Sequence, residues 1–367
     1  MTQFTTWTRK AGLTAVTQTV ETPRQSKAEA FGKAVLDLAN CVGRGVNVET
    51  TRIDLAGEVV ELRFASAVLA RLFRPAFRHL TTSATRPALT ITLWGDPDSS
   101  VPALPWSPDE YRACGEMPGY SDGPCYLHLD VAMSALTVVD LPSGYAAYWN
   151  RRPTRIPSYE YAAPLRALIH RWSINRGMPL LHAGAVARDG RAALIIGDKG
   201  SGKSTTALSC VAAGLSYLAD DRCLVAAKPD PRVYSVYSCA KIFVPEIARF
   251  PVAALQAAAR APTNASDFKA LVYIDQATPQ QMIRTASLCC IMAPRPTGAS
   301  RSRLVRRPPA EALRLLVADM LGKSPATAAR SFETIRDLVR RIPFFHLEAG
   351  TDLGEVAETV RNALELR

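Results

Sequence analysis

The 367-residue sequence predicts an α/β fold, with a strand–loop–helix core over residues 151–367 and a smaller α+β domain over residues 1–150. Three observations predict it. Residues 197–204 read Gly-Asp-Lys-Gly-Ser-Gly-Lys-Ser, the G-x-x-x-x-G-K-[ST] phosphate-binding pattern. The apolar run 192–196 precedes that loop and a helix-forming stretch at 204–213 follows it, with Gly214 as a stop. Before residue 150, short alternating segments and two helical ones are divided by turn-rich stretches.

Taken in order, residues 1–25 are polar and irregular and read as a frayed arm. Ala30, Val35, Leu36 and Leu38 have helical spacing, which predicts a helix over 26–40. Alternation predicts strands over 46–55 and 58–64, then a helix over 66–80 and a strand over 88–94. Residues 95–124 are rich in Pro, Gly, Asp and Ser and predict a long loop or insertion. Segments 126–131, 135–141 and 145–149 predict an antiparallel meander, with Pro142-Ser143-Gly144 as one turn. The basic, Pro-bearing stretch 151–157 marks a hinge or boundary. A single amphipathic helix is predicted over 161–176, stopped by Gly177. Strands dominate 223–244, a loop falls near 258–268, and strands follow at 270–274 and 287–292. Helices are expected over 310–321, 326–341 and 352–366, the last with Thr351 as N-cap. No internal repeat and no low-complexity tract occurs.

Composition narrows the class. The chain is 48% hydrophobic and 21% charged, enough to bury a sizeable core, and no apolar run could span a bilayer. The first residues lack a positive segment followed by an apolar one, so no secretory signal and no membrane partner are expected. Eight cysteines are scattered, with neither C-x-x-C nor zinc spacing, which reads as buried thiols such as Cys210, Cys223 and Cys289 in a reducing cytoplasm. The net charge of +11 concentrates late in the chain, in part as Arg295, Arg301, Arg303, Arg306 and Arg307. A nucleic-acid patch would need aromatic interleaving or a known motif, and neither is present, so no nucleic-acid partner is expected. The remaining readings are a mobile Arg-rich loop near nucleotide phosphates or an acidic substrate, and a solvated surface.

The chemistry expected of residues 197–205 follows from their types. Gly197, Gly200 and Gly202 allow consecutive backbone N–H groups to turn toward one anion, and Lys199, Ser201 and Thr205 share that loop. Lys203 can reach the β- and γ-phosphates, and the Ser204 hydroxyl can ligate Mg²⁺. A phosphate there also meets the positive end of the helix dipole. Sixteen residues beyond Ser204 stands Asp220-Asp221-Arg222. One carboxylate can act as general base toward a hydroxyl and the other can hold Mg²⁺ directly or through water; a turn capped by Asp is the plain structural alternative. His182 lies in an apolar strand-like segment, which suits a core residue. The Arg188-Asp189-Gly190 turn nevertheless places that segment beside the strand that feeds the loop.

The order of these pieces over residues 177–225, namely the His, the hairpin, the glycine loop, a helix of about ten residues, Asp-Asp and a strand, strongly resembles the HPr kinase/phosphorylase family. It resembles more closely the HPr-kinase-like proteins of bacterial gene clusters, some of which phosphorylate a serine of a precursor peptide such as a lasso peptide. The resemblance covers roughly residues 160–350 and includes Phe344-Phe345-His346-Leu347 and the strand near 287–292 with its Arg-bearing loop. It implies a mixed, twisted sheet of the HPr kinase/phosphoenolpyruvate carboxykinase type, ATP and Mg²⁺ as cofactors, and a possible homo-oligomer. Asp220 would be the base, Asp221 a carboxylate in or behind the metal shell, and His182 a neighbour of the γ-phosphate. The family's second signature, with its Glu-x-Arg-Gly core, is replaced here by residues 236–242, Val-Tyr-Ser-Cys-Ala-Lys-Ile, which speaks against HPr recognition and phosphorolysis. Lys241, and more weakly Lys269, could supply a phosphate-binding cation there or be surface lysines. The N-terminal 150 residues match no catalytic pattern and suggest substrate recognition or oligomerisation.

Together these readings predict a kinase that moves the γ-phosphoryl group to a hydroxyl, that of a serine on a peptide or small protein. The alternatives are a small-metabolite acceptor and a nucleotide-dependent binding module without turnover.

Overall fold

A computed structural model of the chain describes residues 23–95, 101–112, 114–250, 253–260, 269–318 and 325–365. The arm expected over 1–25 lies outside them up to residue 22, as does the loop near 258–268 from residue 261 on. Of the described residues, those before 151 contribute α1 (Pro23–Val42), β1 (Glu49–Leu55), β2 (Glu58–Phe64), α2 (Ala67–Phe77), β3 (Leu89–Trp94), β4 (Cys125–Asp130), β5 (Ala135–Asp140) and β6 (Tyr145–Asn150). The strands form one mixed sheet in the order β1-β2-β3-β6-β5-β4. The β4–β5–β6 meander is antiparallel as expected, whereas β3 pairs parallel with both β2 and β6. Alternation sorts each strand's side chains to two faces. Leu127, Leu129 and Val138 pack with Phe31, Val35 and Ala39 of α1, while Val60, Leu62 and Phe64 pack with Leu69, Phe73 and Phe77 of α2. Ser66 caps α2 by accepting the Leu69 N–H at 3.5 Å.

The helix expected over 161–176 is two helices, α3 (Ser158–Ala162) and α4 (Arg166–Ile174). Pro164 separates them: proline lacks an N–H and drives the preceding residue out of the helical region. Ala163 accordingly leaves the helical region, at φ −148° and ψ 65°, and Leu165 takes a left-handed φ of +61°.

Beyond them lie β7 (Leu180–Leu181), β8 (Gly184–Arg188), β9 (Arg191–Ile195), α5 (Lys203–Ala212), β10 (Ser216–Ala219), β11 (Cys223–Ala226), β12 (Arg232–Ser235), β13 (Cys239–Phe243), α6 (Ala253–Ala258), β14 (Ala259–Arg260), β15 (Lys269–Tyr273), α7 (Ile274–Ala277), β16 (Thr285–Pro296), β17 (Arg303–Arg307), α8 (Pro309–Val317), α9 (Pro325–Arg341), β18 (Phe344–Ala349) and α10 (Leu353–Glu365). Nine strands make a second mixed sheet, β10-β8-β9-β16-β12-β11-β7, with β18 on β16 and β17 on β18; β13, β15 and β14 form a small third one. The chain is thus α/β with mixed sheets.

β9 runs at the centre, antiparallel to β8 and parallel to β16. Ala192, Ala193, Leu194 and Ile195 are fully buried because helices cover both faces: α5 and α10 one, α8 and α9 the other. The Arg-bearing stretch expected as a mobile loop is in part a strand, β17, antiparallel to β18. At the last helix the capping side chain is Asp352 and not Thr351. Its Oδ1 accepts the N–H groups of Gly354 at 2.8 Å and Glu355 at 3.3 Å, while the Thr351 N–H goes to Ala299 O. Among the described residues no helix is long and apolar enough to cross a membrane.

Candidate active site

The chain leaves β9 at Ile195 and reaches α5 through a loop whose backbone only glycine tolerates. Gly197, Gly200 and Gly202 have φ of +140°, +86° and +97°. A Cβ on Gly197 would in addition lie 2.7 Å from Ser201 Oγ. The Ser201 N–H closes the turn on Asp198 O at 3.2 Å, and the Thr206 N–H to Gly202 O bond starts the helix. Lys203 is 7% exposed, and its ammonium donates to Gly197 O at 2.6 Å and Asp198 O at 3.0 Å, so it sits inside the turn. Burial lowers its pKa, against the carboxylates of Asp220, Asp221 and Asp198. Ser201 Oγ is buried and makes no hydrogen bond. A buried hydroxyl without a partner, beside a buried ammonium and a run of glycines, suits an anionic ligand. Lys199 is exposed on the same turn, and Thr205 is half-buried at the start of α5.

β10 delivers the two aspartates to the same place. Asp220 is 2% exposed, and its Oδ2 accepts the Lys241 backbone N–H at 2.8 Å. Its Oδ1 accepts nothing within hydrogen-bonding geometry. Burial raises its pKa, with the Asp221 charge adding to that and the Lys241 N–H and the Ser204 side chain opposing. Asp221 behaves oppositely. Burial alone would raise it, but the His182 hydrogen bond and the charges of Lys241, Arg222 and His182 outweigh that and hold it well below the usual carboxylate range. His182 Nε2 lies 3.2 Å from Asp221 Oδ1, and Lys241 Nζ lies 2.8 Å from Asp221 Oδ2.

Strand pairing explains the convergence. β7 pairs antiparallel with β11 with Leu181 opposite Cys223, which brings the next residue, His182, alongside the Asp221-Arg222 segment, where its side chain reaches Asp221. His182 stands at the bend between β7 and β8 and not within a strand. Lys241 comes from β13, in the small sheet, and Lys269 faces Phe243 across β15, its ammonium 4.8 Å from that ring. The Arg cluster begins beside the loop: a Cβ on Gly202 would lie 3.7 Å from Pro294 and 3.9 Å from Pro296, the residues flanking Arg295. Arg303 and Arg307 are paired with Glu348 and Glu311, and among the described residues Arg295, Arg301 and Arg306 have no ion pair.

As a metal site the arrangement is sparse. Among the described residues no group of three or more His, Cys, Asp or Glu could hold an ion. Mg²⁺ fits such a place, since it is commonly held by one or two protein oxygens together with substrate phosphates. Both Asp221 oxygens are engaged, so a direct metal bond there would displace His182 or Lys241.

No protein-family model and no curated protein matches this sequence. Among solved structures it is similar to the HPr(Ser) kinase/phosphatase from Coxiella burnetii, at 9% identity and a TM-score of 0.28, over 50% of this chain and 94% of that one. A likeness of that size fixes neither substrate nor chemistry.

Proposed function

We propose that this chain is an ATP- and Mg²⁺-dependent phosphotransferase of the HPr-kinase-like type, transferring the γ-phosphoryl group to a hydroxyl, that of a serine on a peptide or small protein. The observation that carries this reading is the unlike engagement of two adjacent carboxyl groups beside Lys203 and Ser204: Asp220 Oδ1 has no hydrogen-bond partner, while both Asp221 oxygens are tied, to His182 and Lys241, and Asp220 is accordingly pushed up and Asp221 held down. Such divergence separates an acid–base group from a permanently ionised one. The loop N–H groups and the Lys203 ammonium bind and orient the phosphates. Asp220 Oδ1 accepts the acceptor's hydroxyl proton as the phosphoryl group passes to the acceptor oxygen and the nucleoside diphosphate leaves. Asp221 fixes His182 and Lys241 at the edge of the site, with His182 toward the γ-phosphate. Ser204 would be the protein's hard-oxygen ligand for Mg²⁺, with Asp221 in or behind that shell; bound there, the ion offsets charge on the phosphoryl oxygens.

The test is transfer from γ-labelled ATP with Mg²⁺ to serine-bearing peptides encoded beside the gene, and then to free hydroxylated metabolites. Label on a peptide, lost in Asp220→Asn with ATP binding kept, is the expected result. Label on a metabolite alone would move the acceptor to the small-molecule class. ATP bound without any transfer, and Asp220→Asn without effect, would overturn the catalytic reading.

A further inference from the structure

β16 carries two adjacent thiols, Cys289 and Cys290, at an irregularity in its pairing with β9. Leu288 lies opposite Ala192 and Cys290 opposite Ala193, so Cys289 is the extra residue of a β-bulge. In a regular strand neighbouring side chains point to opposite faces, and the sheet would keep the two sulfurs apart. The bulge cancels one alternation. Leu288 and Ile291 pack on the side of α8 and α9, whereas Cys290 and Met292 pack on the side of α5 and α10, and Cys289 packs with them. Both thiols therefore stand on one face. They are in hydrogen-bonding contact with each other, and the Arg191 guanidinium lies beside Cys289. Arg191 is itself anchored, its Nε donating to Leu364 O at 2.6 Å. The Cys289 thiol also donates to Ala192 O at 3.2 Å. Cys290 is 2% exposed, but Cys289, which the sequence suggested would be buried, is only half-buried and opens the pair to solvent.

As packing alone, one cysteine on each face would serve as a small apolar side chain. Two sulfurs brought together by a bulge, with a cation beside the outer one, form a dithiol instead. The pair is poorly shaped for a disulfide. Neighbouring Cα atoms across a trans peptide are about 3.8 Å apart, below the roughly 4.4–6.8 Å of ordinary disulfides. An ion held between the two sulfurs escapes that constraint. Thiolates select soft ions, and ligand count narrows the choice. Structural zinc takes four ligands and the common iron–sulfur clusters four cysteines, while among the described residues no third His, Cys, Asp or Glu joins this pair. We infer that Cys289 and Cys290 form a two-sulfur site for a soft monovalent ion of the Cu(I) class. Binding replaces two S–H bonds with two S–Cu bonds, releases two protons and leaves every oxidation state unchanged. The bis-thiolate complex carries one net negative charge, which the Arg191 guanidinium offsets.

Anaerobic titration of the full chain, reduced and without nucleotide, against the coloured Cu(I)–bicinchoninate complex tests it. The first equivalent of Cu(I) is expected to pass to the protein, and X-ray absorption of that product should show two sulfur neighbours and neither nitrogen nor oxygen. Cys289→Ala and Cys290→Ala should each weaken the uptake by about 100-fold or more, since only one thiolate remains in either. Cys41→Ala, which removes an exposed thiol elsewhere, should change nothing. Retention of Cu(I) by bicinchoninate, or uptake indifferent to both Cys289→Ala and Cys290→Ala, overturns the inference. Should Cys290→Ala fail to fold, the absorption spectrum of the parent decides: a single sulfur neighbour, or a shell containing nitrogen or oxygen, overturns it as well. Lys203→Ala should take up Cu(I) as the parent does, so this result and the failure of phosphoryl transfer are read separately.

Discussion

Lys241 engages Asp220 through its backbone and not its side chain: the amide N–H reaches Asp220 Oδ2 at 2.8 Å. The ammonium of the same residue goes to the neighbouring carboxylate, Asp221 Oδ2, also at 2.8 Å. One strand position thereby orients a base through a neutral donor and neutralises the adjacent acid with a charge. Lys241→Ala keeps the first contact and deletes the second. The expected outcome is kcat lowered about 10- to 100-fold with the Kd for ATP nearly unchanged, and partial recovery in Lys241→Arg. Steady-state kinetics with equilibrium nucleotide binding would check it; a loss confined to KM would contradict the positioning role.

Asp220 and Lys203 should separate chemistry from binding. Asp220→Asn is expected to lower kcat by roughly 10²–10⁴, the usual scale for a general base, while nucleotide still binds. Lys203→Ala should lose both transfer and most of the phosphate affinity. Because the Asp220 carboxyl is raised above its ordinary value of 3.8, the acid limb of kcat/KM should fall at a pH above that value. That limb should vanish in the residual activity of Asp220→Asn.

The same two carboxyls make opposite contributions to stability against pH. Asp221 is depressed on folding, so its stabilisation is complete above its unfolded value of 3.8 and is lost as pH falls through the lower folded value. Asp220 is raised, so its contribution is present below 3.8 and is lost as pH rises through its folded value. Denaturant midpoints across pH should show Asp221→Asn with a weaker acid-side loss than the parent, and Asp220→Asn with a gain near neutrality. Equal pH profiles for the parent and both variants would contradict the assignment.

A second acid-sensitive element lies at the join of the two large sheets. His79 follows α2, and its Nε2 lies 2.8 Å from Ser235 Oγ at the end of β12. Burial, aided by the Arg284 charge, pushes its pKa down to about 3 from 6.5. The unfolded chain therefore takes the proton first, and stability is lost as pH falls from about 6.5 toward 3. Replacing His79 with Gln should flatten the unfolding midpoint over that window, measured by circular dichroism at fixed ionic strength.

How much of this was legible in sequence depended on how local the signal was. The glycine loop was readable because its chemistry sits in eight contiguous residues between a buried strand and a helix. Residue types alone singled out Asp220 and Asp221 without distinguishing them, and only the family resemblance assigned Asp220 as base and Asp221 as metal carboxylate. Their difference arises from Lys241, His182 and Ser204, brought in by β13, the β7–β11 register and α5. Periodicity ran through Pro164 and hid the α3–α4 break. Arg303-Leu304-Val305-Arg306-Arg307 lacks clean alternation, so β17 emerged only from its pairing with β18.

One apolar cluster joins Phe73 and Phe77 of α2 to Leu224, Val236, Tyr237, Leu271 and Tyr273 beside the carboxylate-bearing strands. The Ser238 N–H to Ala76 O bond and the Arg284 bonds to His79 O and Thr81 O reinforce that seam. A fragment beginning at Arg151 would leave those side chains facing water and would aggregate, however complete its glycine loop. For the same reason, swapping the first half of the chain for that of a relative would transplant half a core, and the two halves have to change together.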